Sequence, residues 1–322
     1  MKAAVYEKYG TPDNLQLIEV ERPIAKDNEV LVKVHAASIN SWDWDRLTGK
    51  PYLYRLISGI SKPKLKILGA DISGIVESVG KDATQFKPGD EVYGDMSAGS
   101  WGGFAEYVCA NEKALVTKPP TMTFEQASAI PQACVMALQA FRDKRQMKEG
   151  DKVLMNGGGG AVGSFAIQLA KLFDLEITAV DSGFKQDFMG SIGADYVIDY
   201  TREDFTKNGQ QYDLIIDVVA NRSVSDYTRA LSPEGVYAMI GGTIRSALQI
   251  ALVGSLISKK HGKKISILAH QPNKDLGYIN ELFEAGKIIP QIDKVYPLNN
   301  LPEAFRFFEN GQFLGKIVIS VG

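Results

Sequence analysis

Three glycines near the middle of the chain are spaced as in sites that bind dinucleotides. Gly158, Gly160 and Gly163 form a Gly-x-Gly-x-x-Gly pattern that follows an apolar run and opens a helix-compatible segment. The first glycine allows a tight turn, the second admits a pyrophosphate to the backbone, and the third lets helix and strand pack closely. A helix that begins near Ala161 offers unpaired N–H groups and its positive dipole end to phosphates. The predicted phosphate-binding residues are Gly158, Gly159, Gly160, Ala161, Val162 and Gly163.

An acidic residue follows the next predicted strand at the spacing expected of a ribose ligand. Asp181 lies 23 residues after Gly158 (181 − 158), near the expected spacing of about 20. Its carboxylate suits the ribose hydroxyls of NAD and repels the extra phosphate of NADP. Ser182 and Lys185 follow directly and suit that 2′-phosphate, being a hydroxyl donor and a cation. The structural alternatives are a helix N-cap for Asp181 and a solvated helix position for Lys185.

Composition and charge exclude several classes of protein. The chain has 322 residues, 36 Lys and Arg against 38 Asp and Glu, and a formal charge of −2. This balance gives no electrostatic reason to expect nucleic acid or an anionic membrane as a partner. A hydrophobic content of 45% and a charged content of 23% are those of an ordinary globular protein. The length predicts two domains.

Cysteine count and hydropathy indicate a cytoplasmic protein. Cys109 and Cys134 are too few for a disulfide framework or a four-ligand structural zinc site. The amino terminus lacks the apolar core of a signal peptide. The longest apolar stretch, Ala247–Ser258, falls well short of the roughly 20 residues of a bilayer span. We therefore expect a cytoplasmic location.

The pattern of predicted elements changes along the chain. The first third consists of short β-branched runs broken by Gly, Pro and Asp-Asn, which favours a barrel-like β domain. From Lys152 onward, strands alternate with helices, as in a parallel sheet covered on both faces. The end of the chain is expected to return to the amino-terminal domain. The predicted strands of the alternating part are Val153–Asn156, Glu176–Val180, Tyr196–Asp199, Leu214–Val219, Val236–Ile240 and Lys264–Ala269.

Several motifs in order resemble one known family over essentially the whole length. They are Leu68-Gly69-Ala70-Asp71-Ile72-Ser73-Gly74, Phe86-Lys87-Pro88-Gly89-Asp90-Glu91-Val92, Gly102-Gly103-Phe104-Ala105-Glu106-Tyr107, the glycine loop, Ile192-Gly193-Ala194-Asp195-Tyr196-Val197 and Gly315-Lys316-Ile317-Val318. Together they resemble the zinc-independent, quinone-oxidoreductase-like branch of the medium-chain dehydrogenase/reductase superfamily. The resemblance implies an α/β fold in which a Rossmann domain (124–270) is inserted in a discontinuous GroES-like β-barrel domain (1–123 and 271–322), with the active site in the cleft.

The resemblance also implies contacts with the cofactor. Lys185 and Tyr200 match positions that hold the adenosine 2′-phosphate in NADPH-dependent relatives, although Asp181 departs from their usual small residue. We therefore expect NADPH, with NADH tolerated. Ligands bind at the carboxyl ends of parallel strands, which favours contacts with Val219 and with Gly241 beside the nicotinamide. By family analogy, Phe313 and Leu314 close over the same ring.

The positions that hold catalytic zinc in zinc-dependent relatives carry other residues here. The first such position is Asn40, the second region reads Gly69-Ala70-Asp71, and the third, near Pro131-Gln132, offers no thiolate. Catalytic zinc needs about three N, O or S ligands plus water. We therefore predict no metal.

Without a Lewis acid, conjugated substrates are favoured. Hydride addition to an enone or quinone delocalises charge into an enolate, which ordinary hydrogen bonds stabilise. We predict reduction of quinones or of the C=C bond of α,β-unsaturated carbonyls. Asn40 is expected to contact the cofactor and to donate a hydrogen bond, and Tyr52 is a candidate hydroxyl donor. Alternatively, Asn40 satisfies a turn and Tyr52 belongs to an aromatic loop wall.

The sequence leaves two alternative functions open and favours a homodimer. The chain is alternatively a 2-enoyl thioester reductase of the same superfamily, or a non-catalytic protein that binds or senses NADPH. The predicted edge strand Lys264–Ala269 needs covering, which favours a homodimer that pairs these edges. The expected partners are a small-molecule substrate and a second copy, with no nucleic acid and no membrane.

Overall fold

A computed structural model describes residues 1–144 and 147–322, and it leaves the side chains of 57, 255 and 258–261 undescribed. The chain forms two compact units. The first contains Met1–Gln132, Pro272–Glu284 and Pro290–Gly322, and the second contains Ala133–Gln271 and Ala285–Ile289. The domain limits expected from the sequence, 123/124 and 270/271, stay a prediction.

Strands and helices are numbered in chain order. The strands are β1 (Lys2–Val5), β2 (Gln16–Glu19), β3 (Glu29–Ser38), β4 (Asp71–Val79), β5 (Glu91–Asp95), β6 (Tyr107–Asn111), β7 (Val116–Thr117), β8 (Lys152–Asn156), β9 (Glu176–Asp181), β10 (Tyr196–Asp199), β11 (Tyr212–Asp217), β12 (Leu231–Met239), β13 (Lys264–Ile267), β14 (Ile292–Pro297) and β15 (Lys316–Ser320). The helices are α1 (Ser41–Thr48), α2 (Arg55–Ser58), α3 (Phe124–Ala129), α4 (Pro131–Lys144), α5 (Ala161–Leu172), α6 (Gln186–Ser191), α7 (Val224–Ala230), α8 (Ile244–His261), α9 (Leu276–Glu284) and α10 (Leu301–Glu309).

The first unit is built on a seven-stranded sheet of mixed direction. Its strand order is β14-β15-β3-β4-β5-β7, and β6 also pairs with β3. The expected barrel does not close among the described strands, because the path ends at β7, which has only two residues, and at β14. Val32, Ile72, Phe104 and Phe305 are fully buried in its core.

The end of the chain completes this sheet. β15 pairs antiparallel with β3, with Val318 opposite Ser38. This pairing places Lys316, the first residue of β15, on the same unit as the residues that follow β3. Long-range pairing of this kind has no signal in local sequence, because it depends on residues about 280 positions apart.

The second unit is a parallel sheet with the Rossmann strand order. Its six strands run β10-β9-β8-β11-β12-β13, and every pairing is parallel. Counted from β8, this is the order 3-2-1-4-5-6, in which the direction of progression reverses between β8 and β11. The six predicted strands and the helices between them are confirmed. Ligands of such sheets bind at the carboxyl ends of the strands beside this reversal.

One predicted helix is two helices. The apolar run Ala129–Phe141 predicts a single helix with a bend at Pro131. Instead α3 ends at Ala129 and α4 begins at Pro131. Proline lacks an N–H and has a fixed φ, so it suits the first turn of a helix and disrupts a helix interior. The break places Gln132 in the first turn of α4.

Membrane-crossing helices were sought in the part of the chain that the structure describes. None of its helices is both long enough and apolar enough to cross a bilayer.

Candidate active site

The glycine loop of the second unit joins β8 to α5 and leaves room for a phosphate group. Gly157 has a φ of +95°, which side-chain-bearing residues rarely adopt. A Cβ at Gly163 would lie 2.3 Å from the carbonyl oxygen of Gly157, so alanine does not fit there. A Cβ at Gly160 would meet only that same oxygen, at 3.5 Å, so the space beside Gly160 is open. The first N–H groups of α5 have no partners within the helix, and the loop therefore fits a pyrophosphate.

Asp181, at the end of β9, holds the glycine loop. Its Oδ2 accepts a hydrogen bond from the main-chain N–H of Gly159 at 3.0 Å. Its Oδ1 accepts one from the main-chain N–H of Ser182 at 2.8 Å, and the Ser182 hydroxyl lies 3.4 Å from the same oxygen. Both carboxylate oxygens are therefore engaged within the protein. Asp181 therefore acts as a clamp, meaning that its carboxylate holds the glycine loop through the hydrogen bond with Gly159.

The side chains expected at the 2′-phosphate lie around this clamp. Lys185 is buried, and its Nζ lies 3.6 Å from Asp181 Oδ1. Tyr200 follows β10, its main-chain N–H donates to the carbonyl oxygen of Asp181 at 3.2 Å, and its ring is about half exposed. The structure therefore brings Asp181, Ser182, Lys185 and Tyr200 together, as expected. Lys185 is a buried ion-pair partner, which corrects the alternative of a solvated helix residue.

A cavity of about 260 Å³ opens next to these residues, at the carboxyl ends of four strands. Its wall includes Asp181, Tyr200 and Val219, which the sequence indicated. It also includes Asn156, Asn221 and Arg222, which sequence reasoning missed. Arg222 is held by Asp204, with Nε 3.1 Å from Oδ1. Asn156 ends β8, so the rule that ligands meet the carboxyl ends of strands would have found it.

A buried polar network fixes the loop after β11. Asp217 accepts hydrogen bonds from Asn156 Nδ2 at 2.8 Å, from the main-chain N–H of Val219 at 2.9 Å and from the Tyr237 hydroxyl at 2.9 Å. Burial raises the pKa of the Asp217 carboxyl, and these donors oppose the rise. Gly241 packs on the same loop, since a Cβ there would lie 2.7 Å from the Val218 carbonyl oxygen.

In the first unit, Asn40 belongs to a buried cluster of charged and amide groups. The ammonium of Lys316 donates to Asn40 Oδ1 at 2.5 Å and lies 3.4 Å from Asp71 Oδ2. Lys316 and Asp71 are almost fully buried. Burial raises the pKa of the Asp71 carboxyl and lowers that of the Lys316 ammonium, and the attraction between the two opposes both shifts. The amide nitrogen of Asn40 is buried and has no hydrogen-bond partner among the described residues.

Asp43 ties this cluster to two backbone turns. Its Oδ2 accepts from the main-chain N–H of Asn40 at 2.9 Å, and its Oδ1 accepts from that of Gly69 at 2.8 Å. Burial raises the pKa of Asp43 to about 7, against the lowering effect of these two donors. The first contact stabilises the start of α1, so Asp43 is a helix-capping residue.

The donor set of this cluster does not fit zinc. The positions that the resemblance matches to zinc ligands of zinc-dependent relatives present the amide of Asn40 and the methyl group of Ala70, and the third region, near Pro131-Gln132, offers no thiolate. Zinc in proteins is bound by thiolate, imidazole and carboxylate groups. Within residues 1–144 and 147–322, no group of three or more His, Cys, Asp and Glu side chains is arranged to hold a metal ion.

The other residues proposed for the site make contacts with residues that do not belong to this cluster. Tyr52 is about two-thirds exposed, and the Arg55 guanidinium lies 4.9 Å from its ring centroid. This packing fits the aromatic loop wall better than a proton donor. Phe313 stacks on Phe308 with ring centroids 5.2 Å apart, and the main-chain N–H of Leu314 donates to Asp293 at 3.0 Å.

Comparison with known proteins agrees with this architecture. Residues 26–120 match the family model of the alcohol dehydrogenase GroES-like domain, and residues 192–319 match that of zinc-binding dehydrogenases. The chain is 32% identical to a 2-methylene-furan-3-one reductase of Solanum lycopersicum, over 99% of this chain and 79% of that protein. It is 30% identical to a chloroplastic NADPH-dependent alkenal/one oxidoreductase of Arabidopsis thaliana, with the same shares covered.

A solved structure extends the similarity to the whole fold. The quinone oxidoreductase of Coxiella burnetii matches with a TM-score of 0.89 and 30% identity, over 100% of this chain and 99% of that one. The sequence relatives and the solved structure thus agree over essentially the full length, and the family models agree over 26–120 and 192–319. The chain belongs to the quinone-oxidoreductase-like branch of the medium-chain dehydrogenase/reductase superfamily.

Proposed function

We propose that the protein is an NADPH-dependent oxidoreductase that reduces quinones or the C=C bond of α,β-unsaturated carbonyls. The observation that carries the proposal is the buried amide of Asn40. It stands where zinc-dependent relatives have a ligand, and its N–H₂ group makes no hydrogen bond within the part of the chain that the structure describes. A single neutral donor is weak support for a localised alkoxide, but it suits an enolate, whose charge is spread over several atoms.

The second unit supplies the nucleotide site. The loop Gly157–Gly163 and the first turn of α5 bind the pyrophosphate, and the cavity lined by Tyr200, Val219 and Arg222 holds the adenosine. Lys185 and Ser182 bind the 2′-phosphate, since Asp181 is already occupied by main-chain donors. NADH is tolerated, because the loop contacts are common to both cofactors. When bound, NADPH supplies the hydride.

The first unit supplies the groups that orient the acceptor. Asn40 donates from Nδ2 to the carbonyl oxygen of the substrate, and Lys316 holds the amide by its Oδ1. The hydride adds to the β-carbon, the electrons of the C=C bond move toward the oxygen, and the enolate forms. Water or a hydroxyl group then protonates the α-carbon.

Steady-state kinetics on matched substrates test this function. Wild-type protein with NADPH is expected to reduce enones and quinones, and to be at least about 100-fold slower on saturated ketones of the same size, the order of magnitude of an oxyanion-type effect. Asn40→Asp keeps an oxygen for Lys316 and removes the donor, so kcat should fall while the Kd for NADPH is retained. Equal rates on saturated ketones, or NADPH consumption with no substrate of the panel, would contradict the proposal.

The same panel separates the alternatives. Preference for crotonyl thioesters over simple enones would indicate a 2-enoyl thioester reductase. Tight NADPH binding without turnover would indicate a sensing protein. The names of the relatives that are at least 30% identical favour neither.

Assembly and location belong to the same proposal. We infer a homodimer that pairs the edge strand β13 of two copies, since β13 ends the sheet and Ile267 on it is 42% exposed. We infer a cytoplasmic location from the low cysteine content, although the Arabidopsis relative is chloroplastic. Cell fractionation with an antibody to the protein tests the location.

A further inference from the structure

Gln132 carries a buried amide group whose nitrogen has no partner. The residue is 4% exposed, and its Nε2 makes no hydrogen bond within the part of the chain that the structure describes. Its main chain is fixed, because the N–H donates to Asp71 Oδ2 at 3.2 Å. Burying an amide donor without an acceptor costs stability, so the position is poor for folding unless a ligand supplies the acceptor.

The same cluster contains a second donor of this kind. Asn40 Nδ2 is also buried and makes no hydrogen bond among the described residues, although the Asn40 amide lies near enough to Asp71 to lower the pKa of that carboxyl. Asn40 Oδ1 accepts from the Lys316 ammonium. An ammonium only donates, so this contact determines which end of the Asn40 amide is oxygen. The N–H₂ end is therefore the one left for another molecule. The Lys316–Asp71 ion pair connects Asn40 to Gln132. Lys316 donates to Asn40 and also contacts Asp71 Oδ2, and the same oxygen accepts from the main-chain N–H of Gln132.

The cluster has more hydrogen-bond donors than acceptors. The two N–H₂ groups together present four hydrogens. In the same cluster, Asp71 Oδ1 is the one described acceptor that is buried and unpartnered. One carboxylate oxygen accepts about two hydrogen bonds, so donors remain in excess even if both amides turn toward it. The cluster is completed by an oxygen acceptor from a ligand.

We propose that Gln132 and Asn40 form a pair of amide donors that binds the carbonyl oxygen of the enone or quinone. This inference rests on the proposed function and adds Gln132 to it as a catalytic residue. When the new C–H bond forms at the β-carbon, the C=C pair shifts to the bond between α-carbon and carbonyl carbon, and the carbonyl pair moves to oxygen. The cofactor is oxidised to NADP⁺, and a proton from water later completes the α-carbon. Two N–H donors stabilise the negative oxygen more than they stabilise the neutral carbonyl.

The chain provides a matched control on the same helix. Gln139, also on α4, is 2% exposed, and its amide is fully used, because Nε2 donates to the Gln271 carbonyl and Oε1 accepts from the Gln271 N–H, both at 3.3 Å. Replacing Gln139 by Leu leaves the Gln271 carbonyl and N–H without these hydrogen-bond partners and should therefore lower Tm. Replacing Gln132 by Leu removes an unpaired donor and should leave Tm equal or higher.

The experiment compares wild type, Gln132→Leu and Gln139→Leu. For each we measure Tm, the Kd for NADPH, kcat/KM on an enone, and the Kd of para-nitrophenolate for the NADP⁺ complex, in which the phenolate oxygen stands in for the enolate. For Gln132→Leu we expect a fall of about 100-fold in kcat/KM and of about 10-fold or more in phenolate affinity. The Kd for NADPH and Tm should not fall.

Two outcomes overturn the donor pair. One is a Gln132→Leu protein that keeps kcat/KM and phenolate affinity within about threefold of wild type, which is within the range of non-specific effects. The other is a loss of activity that comes with lower Tm and weaker NADPH binding, as expected of a structural residue. A wild type that reduces no enone or quinone refutes the proposed function instead, and that result is visible before any variant is compared.

Discussion

The carboxylate of Asp181 has two uses that compete. In a site for NAD it binds ribose hydroxyls, but here its oxygens accept from the main-chain N–H groups of Gly159 and Ser182, with Lys185 close to one of them. Its negative charge is thus partly neutralised inside the protein. The same acid can therefore stand beside a 2′-phosphate without the repulsion that an unpaired carboxylate would cause.

Cofactor preference should change in different ways for the two residues of this ion pair. Lys185→Met removes the cation at the 2′-phosphate, so the Kd for NADPH should rise by about 10-fold or more, while that for NADH changes little. Asp181→Ala releases Gly159, so both affinities should fall together. Fluorescence titration of both cofactors measures these values. If Lys185→Met weakens the binding of NADH as much as that of NADPH, Lys185 supports the loop and does not recognise the 2′-phosphate.

Asp45 gives a pH dependence that is easy to isolate. Burial alone raises the pKa of its carboxyl to about 6. The folded state therefore binds the proton more tightly than the unfolded state, whose pKa is about 4. Stability falls as pH rises from about 4 to about 6, and the loss is then complete and constant above that range.

Asp45→Asn should remove this dependence. We expect a Tm about 2–4 °C above wild type at pH 8, and a difference that shrinks toward zero at pH 4. Thermal unfolding of both proteins across this range tests the expectation. The exposed Asp82 serves as control, since the Tm of Asp82→Asn should stay close to that of wild type at every pH. A benefit of Asp45→Asn that is equal at pH 4 and pH 8 would exclude burial of the charge as its cause.

At the scale of elements, the strand–turn–helix unit β8–α5 is the best-determined part of the site. A short apolar strand, a run of glycines and an apolar helix are adjacent in sequence, so their geometry depends on local contacts. Gly163 is the tightest position, because the carbonyl oxygens of Gly157 and Gly158 lie 2.3 Å and 2.5 Å from where its Cβ would be. Those atoms are backbone and cannot turn aside.

Gly163→Ala should separate close packing from helix propensity. The added methyl group forces α5 away from the loop. This shift should lower the free energy of unfolding by about 1–3 kcal/mol and weaken the binding of both NADPH and NADH. Gly190, in α6, is the control, because a Cβ there meets nothing within 4 Å. Gly190→Ala should stabilise the protein by about 0.5–1 kcal/mol. Denaturant unfolding of both variants measures these changes, and similar values for the two would show that packing at Gly163 is loose.

At the scale of the whole molecule, the edge of the Rossmann sheet predicts the assembly. β13 pairs with β12 on one side, and no described strand pairs with its other side. The Ile267 carbonyl oxygen accepts from the Lys144 ammonium at 3.1 Å, and an edge strand of this kind can pair with a second copy. Ile267→Lys places a charge on this edge and should convert the expected dimer to a monomer. Sedimentation velocity gives the answer, with Ile24→Lys in the first unit, 88% exposed, as control. A monomeric wild type at micromolar concentration would refute the dimer.

The amino-acid sequence by itself determined the Rossmann strands, the glycine loop, the acid after β9 and the family, because each depends on residues close together in the chain. The family resemblance also implies that Asn40 and Ala70 stand where zinc-dependent relatives have ligands. Only the tertiary structure decided that Lys316 reaches Asn40 and that Asp181 is occupied by main-chain donors. It also decided that Gln132 Nε2 is buried without a hydrogen bond among the described residues. Those facts depend on strand pairing and burial between residues up to 276 positions apart, and no local pattern encodes such contacts.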